Sequence, residues 1–94
     1  MPEKSTIRLP ERFDFSFHKT FTEKCRPLLT DNNLKELELD FSLVQYLDSS
    51  ALGMMVLLSK KLSDTDVVLS ISGAKGTARD IIDMANFSKL YTIK

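Results

Sequence analysis

The chain has 94 residues, which leaves room for one domain, and its 13 basic and 13 acidic residues give no net charge at pH 7. Because nucleic-acid binders usually carry a basic excess, we expect no direct contact with nucleic acid. With 43% apolar and 28% charged residues, the composition predicts one folded domain over residues 1–94 rather than a disordered chain.

The few cysteine and histidine residues and the short apolar runs limit which sites the protein can form and where in the cell it is expected. The chain has one cysteine, Cys25, and one histidine, His18, so we expect neither a disulfide framework nor a metal site, and no cofactor is indicated. The longest apolar run, residues 51–58, is too short to cross a bilayer. No hydrophobic segment follows the charges of Met1-Pro2-Glu3-Lys4, so no secretory signal is expected. The sequence thus predicts a soluble, cytoplasmic protein without membrane insertion.

Alternating apolar residues predict four strands. The clearest lies within residues 34–43, where Leu37, Leu39 and Phe41 alternate with polar residues. The other three predicted strands are residues 5–9, residues 67–72 and a terminal edge strand around residues 90–93.

Three helices are predicted between these strands. The first begins near Asp14 or Ser16, either of which is suited to cap it. Because proline inside a helix costs about 3 kcal/mol, Pro27 predicts an early end or a kink near Arg26. The bounds of the other two helices are predicted as Asp48 to about Leu62, and Thr77 or Ala78 to Met84.

The resulting order, β-α-β-α-β-α-β, predicts the architecture. Strands that alternate with helices imply right-handed crossovers. We therefore expect an α/β fold with a mixed, mostly parallel sheet and helices packed mainly on one face.

The start of the second helix, Asp48-Ser49-Ser50-Ala51-Leu52-Gly53, is the first functional candidate. Unpaired N–H groups at a helix N-terminus favour anions, and phosphate is one of them. The structural alternative is strong, because Asp and Ser are also ordinary N-caps that stabilise a helix by about 1 kcal/mol.

The helix that follows is apolar on more than one side. At about 100° per residue, Ala51, Met55 and Leu58 share one face, which is expected to cover the sheet. Met54 and Leu57 are expected to point away from that face. Either neighbouring helices cover them, or they form part of a docking surface.

The two features coincide on one helical stripe. Its members, spaced i, i+4, i+7 and i+11, are Ser50, Met54, Leu57 and Lys61. A phosphate on Ser50 would add a charge of about −1.5 to −2, which a helix N-terminus tolerates. Beside an apolar surface, and near Asp48 and Asp40, that charge would weaken the binding of a partner.

Residues 37–53, from Leu37-Glu38-Leu39-Asp40 to Asp48-Ser49-Ser50-Ala51-Leu52-Gly53, resemble the signature of STAS domains. More narrowly, they resemble those of the bacterial anti-sigma factor antagonists, and the tail over residues 80–91 is similar to the last helix and closing strand of that family. Ala51 stands where the family usually has glycine.

The resemblance implies a regulatory binding protein that is not an enzyme. The unphosphorylated form would bind an anti-sigma factor or serine-kinase partner, phosphorylation of Ser50 would release it, and a phosphatase would reset the switch. Ser49 is the competing acceptor. The expected phosphosite environment comprises Asp48, Asp40, Ala51 and Gly53. The expected partner contacts are Leu52, Met54, Leu57 and Lys61.

Two further interpretations remain open. Some stand-alone STAS proteins are structural subunits of membrane transport complexes, including lipid transport ATPases, and need no phosphorylation. The apolar helix is also compatible with a weak homodimer. Catalysis is not expected, because His18 is the only histidine and nothing places it beside Ser50.

Overall fold

The computed structural model describes residues 3–94; Met1 and Pro2, which belong to the segment where no secretory signal is expected, lie outside the described residues. Within these described residues there are six strands, three of which are only two residues long. Their bounds are β1 Lys4–Arg8, β2 Arg12–Phe13, β3 Glu36–Asp40, β4 Tyr46–Leu47, β5 Val68–Ser72 and β6 Thr92–Ile93.

The three predicted helices are present. Their bounds are α1 His18–Leu29, α2 Ser49–Lys61 and α3 Gly76–Met84. A 3₁₀ segment, Phe15–Phe17, precedes α1, and the side chain of Asp14 caps that segment rather than α1 itself. A second 3₁₀ segment, Phe87–Lys89, joins α3 to β6.

The four strands predicted from the sequence correspond to β1, β3, β5 and β6, and they form one sheet in that order. Each pairing between the described strands is parallel, which confirms the predicted α/β class and the mostly parallel sheet. The short strands β2 and β4 pair separately, also in parallel, and were not predicted. Two residues are too few to produce a readable alternation.

One face of the main sheet supplies the core. Ile7, Leu39 and Ile71 occupy one register position across three strands and are almost fully buried. Their alternating neighbours on the other face are polar, as Glu38 and Ser72 illustrate. The helices therefore cover the apolar face, as the alternation predicted.

The first helix runs through Pro27 instead of ending near Arg26, so of the two expected outcomes the early end is wrong. Pro27 is exposed, where water can satisfy the carbonyl that its missing N–H leaves unpaired. Leu28 and Leu29 beyond it pack against the core. Tertiary packing of these two leucines outweighs the local cost of the proline.

The C-terminal segment is fastened to α2. Tyr91 is 2% exposed, and its hydroxyl donates a 2.7 Å hydrogen bond to the carbonyl of Met55. This bond satisfies a phenol that would otherwise be buried without a partner.

Within residues 3–94, no helix has the length and apolar character needed to cross a membrane.

Candidate functional site

Asp48 fixes the start of α2. Its backbone is extended, with φ −121° and ψ −174°, and its Oδ1 accepts a 3.0 Å hydrogen bond from the N–H of Ala51. Its carbonyl accepts from the N–H of Leu52 at 3.2 Å. The predicted N-cap is confirmed, and the N–H groups of Ser49 and Ser50 remain directed along the open end of the helix.

The two candidate acceptors differ in their surroundings. Ser49 is exposed, whereas Ser50 is half-buried. Ser50 lies on the same stripe as Leu57 and Lys61, which form part of the α2 wall of a groove between α1 and α2. Ser50 therefore lies on the side of α2 that faces α1, and Ser49 lies on the outer side.

Met54 is covered by a neighbouring helix, which is one of the two expected alternatives. It is 7% exposed, because Phe21 and Cys25 of α1 pack on the same side of α2. Leu57 is 50% exposed, in agreement with its predicted orientation, and Leu52 is half-buried. The sequence pattern of α2 alone could not show that α1 covers Met54.

The core face of α2 follows the prediction. Ala51 and Met55 are both 0% exposed, and Leu58 is 2% exposed. Ala51 is a core residue whose small methyl group faces the sheet side. Gly53 differs, since it is exposed and a Cβ built on it would meet no atom within 4 Å.

Asp40 is held at the end of β3 by local partners. It accepts a 2.9 Å hydrogen bond from the N–H of Ser42 and lies 3.5 Å from Nε of Arg8. These hydrogen bonds, with the Arg8 charge, lower the pKa of Asp40 below its ordinary value of 3.8, so the carboxylate is negative at neutral pH. Among the described residues, its hydrogen bonds and ion pair do not extend to Asp48 or Ser50.

A polar pair next to the site was missed by the sequence reasoning. The guanidinium of Arg12 lies 4.4 Å from the centre of the Tyr46 ring and 2.8 Å from Asp14. Tyr46 is 44% exposed and stands two positions before Asp48. Because Arg12 and Tyr46 are distant in sequence and meet only through β2 and β4, no local pattern could identify them.

Cys25 and His18 both line the groove between α1 and α2. Cys25 is 5% exposed, and burial raises its pKa to about 11, so the thiol is protonated at neutral pH. His18 stacks on Phe15, with ring centres 5.2 Å apart. Within residues 3–94, no group of three or more His, Cys, Asp or Glu side chains could hold a metal ion.

The comparisons of this chain with a family model and with a related protein agree on one family. Residues 2–94 match the family model of the STAS domain. A STAS-domain containing protein from Pseudomonas aeruginosa is 32% identical over 92 residues, which cover 97% of this chain and 88% of that protein.

Solved structures share the fold at low sequence identity. A candidate anti-sigma factor antagonist from Thermotoga maritima has a TM-score of 0.82 at 16% identity, covering 99% of this chain and 80% of that one. The anti-sigma factor antagonist SpoIIAA, in its unphosphorylated form, gives 0.82 at 15% identity, with 100% and 82% covered. The phosphorylated form of this Bacillus protein gives 0.75 at 15%, with 100% and 85% covered. A sulfate transporter family protein from Wolinella succinogenes gives 0.74 at 12%, with 95% and 71% covered.

Proposed function

The chain belongs to the STAS domain family, and from that premise we propose that it is a single-domain, cytoplasmic anti-sigma factor antagonist controlled by phosphorylation of Ser50. The unphosphorylated form binds an anti-sigma factor or serine-kinase partner, and phosphorylated Ser50 releases that partner. A phosphatase restores the binding form. The protein itself is a substrate and a binding module rather than an enzyme.

The observation that carries this proposal is the position of Ser50. It is the second residue of α2, two positions after the Asp48 cap, and it lies on the stripe that continues to half-exposed Leu57. A phosphate there would lie at the positive end of the helix dipole, so the fold would tolerate it. The same phosphate would repel an acidic or apolar partner surface. Such a group changes affinity without unfolding its carrier.

The position of Ser50 on α2 supports it over Ser49. Ser50 lies on the side of α2 that faces α1, next to the apolar groove, whereas Ser49 faces outward. A charge at Ser50 therefore acts on any partner that contacts Met54 and Leu57. Asp48 contributes by fixing the first turn, through its 3.0 Å bond to the N–H of Ala51.

The transfer requires chemistry that the partner supplies. The Oγ–H of Ser50 loses its proton to a base of the kinase, and Oγ forms a bond to the γ-phosphorus of ATP as the bond to ADP breaks. Mg²⁺ and ATP are held by the kinase. This chain contributes an acceptor hydroxyl. In the proposal Asp48 and Asp40 shape its surroundings, Gly53 forms the exposed helix surface nearby, and Ala51 packs into the core behind it.

The experiment compares four purified proteins: wild type, Ser50→Ala, Ser49→Ala and Ser50→Asp. Each is incubated with ATP and host extract, and the modified residue is located by mass spectrometry. We expect phosphate on wild type and Ser49→Ala but not on Ser50→Ala. Phosphate that persists on Ser50→Ala and is lost from Ser49→Ala would transfer the acceptor role to Ser49.

Partner binding is measured with the same variants as baits in host extract. A kinase or anti-sigma factor retained by wild type and Ser50→Ala, and lost by Ser50→Asp, is the expected result. Equal retention by all of them would contradict the switch. Circular dichroism of Ser50→Asp is the control that the fold is intact.

The alternative function is a structural subunit of a membrane transport complex, such as a lipid transport ATPase. The fold shared with the Wolinella succinogenes sulfate transporter family protein supports it. It predicts that a permease or transport ATPase is retained equally by wild type, Ser50→Ala and Ser50→Asp, and that Ser50 acts only as part of a capped helix.

A further inference from the structure

A groove of about 180 Å³ lies between α1 and α2. Its floor is apolar and includes Phe21 and Cys25 of α1 with Met54 of α2, all of them buried. Leu57 borders it and is 50% exposed. The groove thus combines a formed apolar floor with an exposed apolar edge, as expected of a pocket that receives an anchoring side chain.

The charges around the groove have one sign. Arg26 of α1 and Lys61 of α2 both line it, and both are exposed. Among the described residues, no acidic side chain lines the groove, and neither cation forms an ion pair with a carboxylate. Both positive charges are therefore available to an incoming ligand.

The volume indicates what kind of group enters. Sites for drug-sized ligands are typically about 300–1,000 Å³, whereas an apolar cavity of about 150 Å³ accepts a group the size of benzene. At about 180 Å³, the groove matches one apolar side chain rather than a whole small molecule. Its α2 wall also continues the stripe that begins at Ser50, so it adjoins the surface proposed to contact the partner.

We propose that the groove between α1 and α2 receives an acidic amphipathic segment of the protein partner, with one apolar anchor in the groove and a flanking carboxylate between Arg26 and Lys61. This inference rests on the proposed function for the existence of that partner. It also supplies a physical basis for the switch. A phosphate on Ser50 would place about −1.5 to −2 charges along the same stripe as Lys61, where they repel an acidic segment and would spare a basic one.

The test uses defined peptides and needs no identified partner. Two helical peptides of equal length carry the same leucines at i, i+4 and i+7, and their remaining positions are glutamate in one and lysine in the other. Binding to the full chain is followed by NMR of the Met54 and Leu57 methyl groups. We expect the glutamate peptide to shift these methyl signals and to bind at least about tenfold more tightly than the lysine peptide.

Charge reversal at the groove is the decisive variant. Arg26→Glu is expected to reduce or invert the preference for the glutamate peptide. Lys24→Glu is the matched control, because Lys24 is an exposed cation of the same helix that does not line the groove. Equal changes in both variants would overturn the proposal, as would equal affinity for the two peptides or no shift at Met54.

Two further arms separate the remaining outcomes. Heptanoate that shifts the Met54 methyl group while the glutamate peptide does not would assign the groove to a small amphiphile and overturn the proposed occupant. Ser50→Asp is expected to weaken the binding of the glutamate peptide severalfold. Because the peptides involve neither kinase nor phosphate transfer, failure of Ser50 phosphorylation in host extract would overturn the proposed function and leave the groove result intact.

Discussion

At the scale of single residues, Asp48 has a structural role whose contribution to the free energy of unfolding can be measured. It ends the extended segment after β4, and it caps α2 through the N–H of Ala51. Asp48→Ala leaves that N–H unpaired, so we expect the free energy of unfolding to fall by about 0.5–2 kcal/mol in urea titration. Asp48→Asn keeps the acceptor oxygen and is expected to stay near wild type. A loss in Asn equal to that in Ala would mean that the charge of Asp48, rather than its hydrogen bond, holds the helix.

At the scale of elements, α2 contains a glycine that its own fold does not require. Gly53 is exposed, and a Cβ there would meet no atom within 4 Å. Because glycine inside a helix is less favourable than alanine by about 0.5–1 kcal/mol, Gly53→Ala is expected to stabilise the protein by that amount. Thermal and urea unfolding both measure this change.

Gly76→Ala is the matched control for Gly53→Ala. A Cβ at Gly76 also meets no atom within 4 Å, but the backbone there has φ +57°, which disfavours any side chain. We expect this substitution to destabilise by about 1 kcal/mol or more. If both substitutions stabilised the protein, the open space at each position rather than its backbone conformation would decide the change in stability.

The elements also show how far sequence patterns reach. The alternation in β3 and the apolar face of α2 were readable because each is set by the period of one element. The continuation of α1 past Pro27 and the burial of Met54 were not, because both depend on contacts between elements. The pairing of Arg12 with Tyr46 has the same origin. The capped start of α2 was therefore predictable, whereas the groove beside it needed the relative placement of α1 and α2.

At the scale of the whole molecule, the sheet has one apolar face and one polar face. Parallel sheets are usually covered on both faces, so the polar face must satisfy its groups in another way. Ion pairs and hydrogen bonds cross the strands there: Glu38 lies 2.8 Å from Nζ of Lys4 and 3.0 Å from Nζ of Lys94, and it accepts a 2.6 Å bond from the hydroxyl of Ser72. Lys94 also lies 2.7 Å from Glu36. This network ties the edge strand β1, and Lys94 just after the other edge strand β6, to the central strands β3 and β5.

The polar face makes stability depend on acid. Hydrogen bonds from Lys4, Ser72 and Lys94 lower the pKa of Glu38 from 4.5 to about 2, and Lys94 and Ser70 lower that of Glu36. A carboxylate with a lowered pKa in the folded state stabilises above its unfolded pKa and loses that contribution as pH falls through the folded value. For Glu38, the loss therefore extends from about pH 4.5 down to about pH 2. We expect the urea midpoint of wild type to fall more steeply over this range than that of Glu38→Gln. Glu23→Gln, at an exposed position on α1, should follow the wild-type curve. If Glu38→Gln also followed the wild-type curve, the network on the polar face would not contribute to the acid dependence.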